Sequence, residues 1–278
     1  MSRPIRIEYP GATYYITSRV PPSQQAFCDE RDRIRFLDIL SQTIKRSGWV
    51  CHAWCLMDDH YHLIIETPKA NLSQGMRQVN GIYTQEYNRR YFKKGALFKG
   101  RFKAILFDKD ANLIKLARHL MLNPVRLERC DYASQYRWSS FNEVIGQSGQ
   151  AKPISARDWL LAQFGENPAD AINRFQDYVN KGSDPENPWR AVRYQLFLGN
   201  ATFVEKHRQY MDKDSAPSPE TRTPLSDLFD SNTRKDRSER DRTICDAHLR
   251  HGYTLTELGQ HLGLHTSTVS KILKKQGV

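Results

Sequence analysis

Two apolar runs separated by a pair of aspartates constrain this chain more than any other feature. Residues 49–57 (WVCHAWCLM) and 60–66 (HYHLIIE) have the β-branched and aromatic content of strands, and Asp58-Asp59 between them makes a tight turn, so the runs pair as an antiparallel hairpin. A lone hairpin is marginal in water and needs further elements to cover it. Residues 13–20 (TYYITSRV) read as a strand, and residues 29–46 as a helix with Ile34, Leu37, Leu40 and Ile44 at helical spacing. Residues 72–91 make a long polar helix with Met76, Val79, Tyr83 and Tyr87 on one stripe, and residues 96–107 (ALFKGRFKAILF) return to strand character after Gly95. The order β-α-β-β-α-β predicts an α+β fold, a ferredoxin-like antiparallel sheet with packed helices on one face. A further helix from residue 111 stops where Asn123-Pro124 disfavours its continuation.

The remainder divides by composition. Residues 1–148 hold the sheet domain, 149–212 a helical extension to which no chemistry is assigned, and 213–237 a Pro/Ser/Asp-rich linker pinned by Leu225, Leu228 and Phe229. Residues 238–278 regain helical periodicity. There Thr254-x-x-Glu257 is a capping box, Gly263 supplies a turn, and Leu255, Leu258, Leu262, Leu264, Val269 and Ile272 make a small core. The segment LTELGQHLGLHTSTVSKILKK resembles a helix-turn-helix, with Gly259 as the close-packing residue and Thr266, Ser267, Thr268, Ser270 and Lys271 on the recognition helix.

Charge narrows the partner. The 278 residues carry 42 Lys+Arg against 31 Asp+Glu, a net +11, which favours a polyanion and first of all nucleic acid. The excess is local: the 27 residues from Arg77 to Lys103 hold Arg77, Arg89, Arg90, Lys93, Lys94, Lys99, Arg101 and Lys103 against one acid, Glu86. Tyr91, Phe92, Phe98 and Phe102 interleave them, the mixture expected of a single-strand path, and Arg126, Arg129 and Arg137 extend it. Five scattered cysteines, no apolar run of membrane length and no signal-peptide core at the start point to a reducing, cytoplasmic setting. Cys51-x3-Cys55 with His52 lacks a second cysteine pair and reads as free thiols, with Cys51 and Cys55 on one face of the strand and His52 on the other.

His60 and His62, two apart on a strand, share one face with Cα atoms roughly 6.5 Å apart, a spacing suited to bidentate metal binding. Asp58, Asp59 and Glu66 lie nearby in sequence. On the helix after the last strand, His119 and Asn123 project beside one another at the edge of a stripe of Leu113, Leu116, Ala117 and Leu120.

The stretches LMDDHYHLIIE (56–66), YTQEYNRRYFKKGALFKGRFKA (83–104), RHLMLNPVRL (118–127) and YRWSSF (136–141) resemble the REP-associated tyrosine transposases, a branch of the HUH single-strand nucleases. The resemblance covers about residues 5–145. It implies a nuclease domain that recognises DNA hairpins with single-stranded flanks. It also implies Mg2+ or Mn2+ held by His60, His62 and Asn123, and a tyrosine that attacks phosphorus to leave a 5′-phosphotyrosine. The family pattern Tyr-x-x-x-Asn-Pro-x-Arg reads here His119-Leu-Met-Leu-Asn123-Pro124-Val-Arg126, so a histidine stands at the nucleophile's position. Three readings stay open: cutting lost with DNA binding kept, as in a domesticated hairpin binder or transcriptional regulator; a non-standard nucleophile; or a substitute tyrosine. Tyr83, Tyr87 and Tyr91 are candidates for the last, although such a stripe usually packs on a sheet, as do residues like Tyr132 and Tyr136. Tyr15 is a second departure, since many relatives carry a histidine there. The implied partners are single-stranded or hairpin DNA, plus duplex DNA at the C-terminal module. A homodimer is left open, and an RNA hairpin is the weaker alternative ligand.

Overall fold

The computed structural model describes residues 6–147, 154–181, 188–214, 224–229, 233, 236–249, 253 and 255–275. Arg6–Glu205 forms one compact unit, and the described residues from 206 onward belong to another.

The first unit is built on β1 (Ala12–Arg19), α1 (Glu30–Ser47), β2 (Val50–Leu56), β3 (His60–Thr67), α2 (Leu72–Arg90), β4 (Lys103–Phe107) and α3 (Lys109–Met121). The strands order as β2-β3-β1-β4, the antiparallel ferredoxin-like arrangement, with a short fifth strand, β5 (Phe197–Leu198), added parallel to β4. The hairpin closes through the Met57 N–H donating to the His60 carbonyl at 2.8 Å, and the Asp58 carbonyl accepts from Ala26 and Phe27. The sheet is therefore tied to the entrance of α1.

Alternation along β3 sends its residues to two different cores. Tyr61 packs against Phe36 and Phe98, and its hydroxyl donates to Asn80 Oδ1, so this face is closed by α1 and α2. Asp29 caps α1, and Gly75 lets α2 lie directly on the Trp49 ring, where a Cβ would fall 2.1 Å from a ring carbon. Ile34, expected in the buried stripe of α1, is half-exposed, and Phe36 and Ile39 are buried instead. The strand expected over 96–107 is confined to Lys103–Phe107, because positive-φ residues at Phe92, Gly95 and Gly100 fold the preceding stretch into a loop.

Helices cover the other face as well. Ile64, Ala53 and Cys55 pack against Leu113, Leu116, Ala117 and Leu120 of α3. The short α4 (Asn123–Arg126) and α5 (Phe141–Val144) follow, and then α6 (Arg157–Ala162) and α7 (Pro168–Asn180) join the same core through Leu160, Leu161, Ala171, Phe175 and Val179. The segment expected as a separate extension thus packs, up to Glu205, inside the first unit. The reason is that α6 and α7 bury apolar stripes that the β1–β4 sheet and α3 alone leave open.

The second unit contains most of α8 (Ala201–Asp214), then α9 (Leu225–Leu228), α10 (Arg237–Leu249), α11 (Leu255–Leu262) and α12 (Thr266–Lys275). Phe229, Ile244, Leu258, Val269 and Leu273 centre its core, with Leu225, Leu228, Leu255, Leu262, Leu264 and Ile272 packed around them. Gly259 is required by contact: a Cβ there would stand 2.6 Å from the Leu264 carbonyl oxygen. Residues 215–223 of the expected linker and the capping residue Thr254 lie outside the described residues.

Phe175 lies against Phe141 and Phe164, at ring separations of 6.0 and 5.4 Å. Phe175→Ala is expected to lower the unit's stability by about 3–5 kcal/mol in urea unfolding; a loss below about 1 kcal/mol would mean that α7 is peripheral to it.

Candidate functional site

The sheet face that meets α3 carries the histidine pair. Register places Arg19 opposite His60 and Thr17 opposite His62, with Cys55 beyond His62 on β2 and Lys103 beyond Thr17 on β4. Directly opposed residues share a face, so a row runs Cys55, His62, Thr17, Lys103 across four strands. The His60 and His62 rings are 4.9 Å apart and perpendicular.

Each histidine has its Nδ1 engaged. Asp59 Oδ1 lies 2.5 Å from His60 Nδ1, and Arg19 reaches both Asp59, at 3.7 Å, and the His60 ring. Burial opposes ionisation of Asp59, but the hydrogen bond to His60 and the charges of His60 and Arg19 outweigh it, so its carboxyl stays below the usual range. An ionised carboxylate only accepts. The shorter contact, to Asp59, favours the proton on Nδ1 of His60 with the Nε2 lone pair free, against the longer 3.4 Å approach of donor-only Arg19 Nη2 to the same nitrogen. Tyr15 Oη stands 3.0 Å from His62 Nδ1, and burial holds that phenol protonated far above its ordinary range. The contact admits both tautomers: with the proton on Nδ1, Tyr15 accepts and Nε2 is free as a ligand atom, and with the proton on Nε2 the phenol donates to Nδ1. Burial lowers the pKa of both imidazoles, and for His62 the neighbouring His60, His119, Arg126 and Arg19 push it down further. Two neutral imidazoles oriented by outer partners are the form a divalent metal requires.

The third ligand implied by the resemblance is less accessible. Asn123 Oδ1 accepts from Arg126 Nη2 at 2.8 Å, while its Nδ2 is buried with no partner among the described residues. No group of three His, Cys, Asp or Glu side chains converges as a metal site among the described residues. Two neighbouring imidazoles are a donor pair of the kind a divalent metal takes, whereas the Asn123 side-chain oxygen is occupied by Arg126.

His119 packs edge-on against Trp189 at 5.5 Å, and the same indole meets Tyr15 at 4.5 Å. Trp189 comes from the segment beyond α7, so that stretch supplies a wall of the histidine pocket. Sequence reading assigned no chemistry there, and a lone tryptophan among helical breaks gives no local signal of its destination. Tyr15, set aside as a departure, is the tyrosine that touches the pair. The substitute candidates are occupied elsewhere: Tyr83, Tyr87 and Tyr91 donate to the Ala26 carbonyl, the Gln25 carbonyl and Asp32 Oδ2. Tyr136 donates to the Leu56 carbonyl, and Tyr132 is exposed.

A β-bulge between Cys51 and Ala53 changes the reading of residues 51–55. Cys51 opposes Ile65 and Cys55 opposes His62, so the two thiols lie on opposite faces, contrary to simple alternation. His52 shares the face of Glu66, whose Oε2 lies 2.8 Å from His52 Nε2 and 2.7 Å from Lys109 Nζ.

The basic residues divide by role. Arg77, Arg89, Lys93, Lys94, Lys99, Arg101, Lys103 and Arg126 are exposed. Arg90 is instead paired with Asp29 and Asp32, Arg129 with Asp58, and Arg137 with Glu30. Of the interleaved aromatics, Phe98 packs against Tyr61 and Tyr83 in the core, and Phe102 is buried beneath the Arg6 guanidinium. Tyr91 is half-buried, and only Phe92 stands in solvent. In the second unit Ser267, Thr268 and Lys271 lie on the exposed side of α12, Thr266 and Ser270 are half-buried, and the Ser267 hydroxyl is 2.8 Å from His265 Nδ1. No helix among the described residues is long and apolar enough to cross a membrane.

Fold and site together define an α+β protein whose sheet carries a pair of neighbouring imidazoles with exposed Lys103 in the same cross-strand row. Residues 11–119, which hold β1 to β4 and carry both histidines, match the family model described as transposase, IS200 like. A search of curated proteins gave no match. Among solved structures, a REP-associated tyrosine transposase bound to a REP hairpin is similar, at 17% identity and a TM-score of 0.47, covering 57% of this chain and 93% of that one.

Burial drives the His52 pKa below the ordinary 6.5, as it does for His60 and His62. Below pH 6.5 the unfolded chain therefore binds more protons than the folded one, and stability falls as the pH drops. Urea midpoints at pH 5.5 are expected to lie below those at pH 7, and His52→Gln is expected to reduce that difference. An unchanged difference would show that His52 does not contribute.

Proposed function

We propose that this chain is a DNA-binding, transposase-like protein that takes single-stranded or hairpin repeat DNA onto the face bearing His60 and His62, with metal-dependent nicking and strand transfer as its reaction. The observation that carries this reading is the row joining half-buried His62 to exposed Lys103 across the sheet, with Arg19 opposite His60. The match of residues 11–119 to IS200-like transposases supports it. His60, His62 and Asn123 would hold Mg2+ or Mn2+, which when bound supplies Lewis-acid polarisation of a scissile phosphate. Lys99, Arg101, Lys103 and Arg126 would neutralise phosphates along the strand, with Arg77, Arg89, Lys93 and Lys94 farther along the basic stretch. On the second unit Ser267, Thr268 and Lys271, flanked by Thr266 and Ser270, would contact duplex DNA as a helix-turn-helix does. The setting proposed for this chemistry is the cytoplasm.

A second reading is favoured by His119, which stands where the resemblance places the nucleophile and packs against Trp189. On that reading the protein grips hairpins without cutting them and acts as a regulator. Incubation with Mn2+ and a labelled single-stranded hairpin separates the two. An adduct that survives denaturation supports nicking; binding without an adduct supports the regulator, and His119→Tyr then restores cleavage if the missing phenol is the sole defect.

Two substitutions test the assignments. Asp59→Asn should weaken Mn2+ binding about 10–100-fold, as loss of a partner behind a metal-ligating histidine does, and His60→Ala with His62→Ala should abolish it in calorimetry. Lys271→Ala should weaken duplex binding across all sequences and reduce the salt slope by about one; an unchanged slope would assign α12 to protein contacts.

A further inference from the structure

Phe92 is 96% exposed, the most exposed large apolar side chain among the described residues. Its backbone has φ of 53°, a left-handed conformation that a bulky residue adopts at a cost. Neither feature helps the fold. The turn beneath the ring is nevertheless well fixed: the Tyr91 N–H donates to the Tyr87 carbonyl, and the Lys93 N–H to the Asn88 carbonyl at 2.9 Å. Asn88 Nδ2 donates to the Gly95 carbonyl, and the Tyr91 hydroxyl to Asp32. A rigid pedestal therefore holds a phenyl ring out in water.

The surroundings select the occupant. Its chain neighbours Arg89, Lys93 and Lys94 are exposed; Arg89 lies near Glu86, whose carboxyl it helps hold below the usual range, Lys93 Nζ sits 5.5 Å from the Tyr87 ring, and Lys94 forms no ion pair with described residues. From Phe92 the loop runs seven residues to Lys99, a reach of at most about 25 Å, and the Lys99 N–H donates to the carbonyl of Arg19, the residue opposite His60. An apolar protein partner would not call for three exposed cations within five residues of the ring. A nucleotide strand matches both halves, because its phosphates meet the lysines and its bases offer flat faces to the ring.

We infer that Phe92 is a nucleobase-stacking residue, and that it seats one unpaired base of the bound strand at the far end of the loop that leads to the histidine pair. This inference rests on the DNA-binding reading above and adds to it a defined contact. Stacking is neutral, so it contributes affinity without contributing to the salt dependence.

The test uses the full-length protein and a DNA hairpin with a single-stranded flank, with abasic sites placed one at a time along the unpaired segment. Phe92→Ala is expected to weaken binding about 5–100-fold at an unchanged salt slope, while Phe92→Trp retains it. One abasic position should cost a similar factor in the wild type and nothing further in Phe92→Ala, since both changes remove the same contact. Additive losses at every position, or binding by Phe92→Ala within twofold of wild type, would overturn the stacking role while leaving DNA binding intact. Absence of hairpin binding by the wild type would instead overturn the reading on which it rests. If Phe92→Ala changes only the sedimentation of the free protein, the ring belongs to a contact between copies of the chain, and the stacking role is refuted.

Discussion

Everything near the site depends on the two-residue period of β3, a strand covered on both faces. Tyr61 turns toward α1 and α2 and enters an aromatic cluster with Phe36 and Phe98, while His60, His62 and Ile64 turn toward α3. One strand thus anchors the larger aromatic core and displays the imidazoles. A slip of one residue would exchange the two sets and bury neither correctly. The turn at Asp58 and Asp59 fixes that register, because the Asp58 side chain accepts from Arg33 and forms an ion pair with Arg129 while Asp59 engages His60. Carboxylates that look in sequence like metal ligands thereby work as struts and orienting groups.

The net positive charge is distributed by the same logic. Arg33, Arg35 and Arg90 are drawn into ion pairs with Asp58, Glu86, Asp29 and Asp32, where they fasten α1 to the hairpin turn and to α2. The 91–103 segment itself contains no acidic residue, and Lys94, Lys99 and Lys103 on it are exposed. The aromatic side chains around it, Phe98 and Phe102, are spent on packing.

The histidine pocket is finished by a residue far away in sequence. Trp189 meets both Tyr15 and His119, and Tyr15 in turn holds His62. The IS200-like match ends at residue 119, so the wall of the pocket lies outside the matched stretch. The parallel β5 and the apolar stripes of α6 and α7 bring this segment home, which is why the region reads as an appendage in sequence and folds as part of the first unit.

The hairpin, the strand and helix order, the shared face of His60 and His62 and the basic stretch from Arg77 to Lys103 were all legible in sequence. Each is expressed in a local period or a local composition, and such patterns survive without knowledge of long-range contacts. The bulge that turns His52 toward Glu66, the loop that shortens β4, the capture of Arg90 by Asp29 and Asp32, and the placement of Tyr15 and Trp189 beside the imidazoles were decided only in the tertiary structure. They depend on which distant surfaces needed covering and which charges met there. Periodicity assigns a side chain to a face, but only packing decides its neighbour on that face.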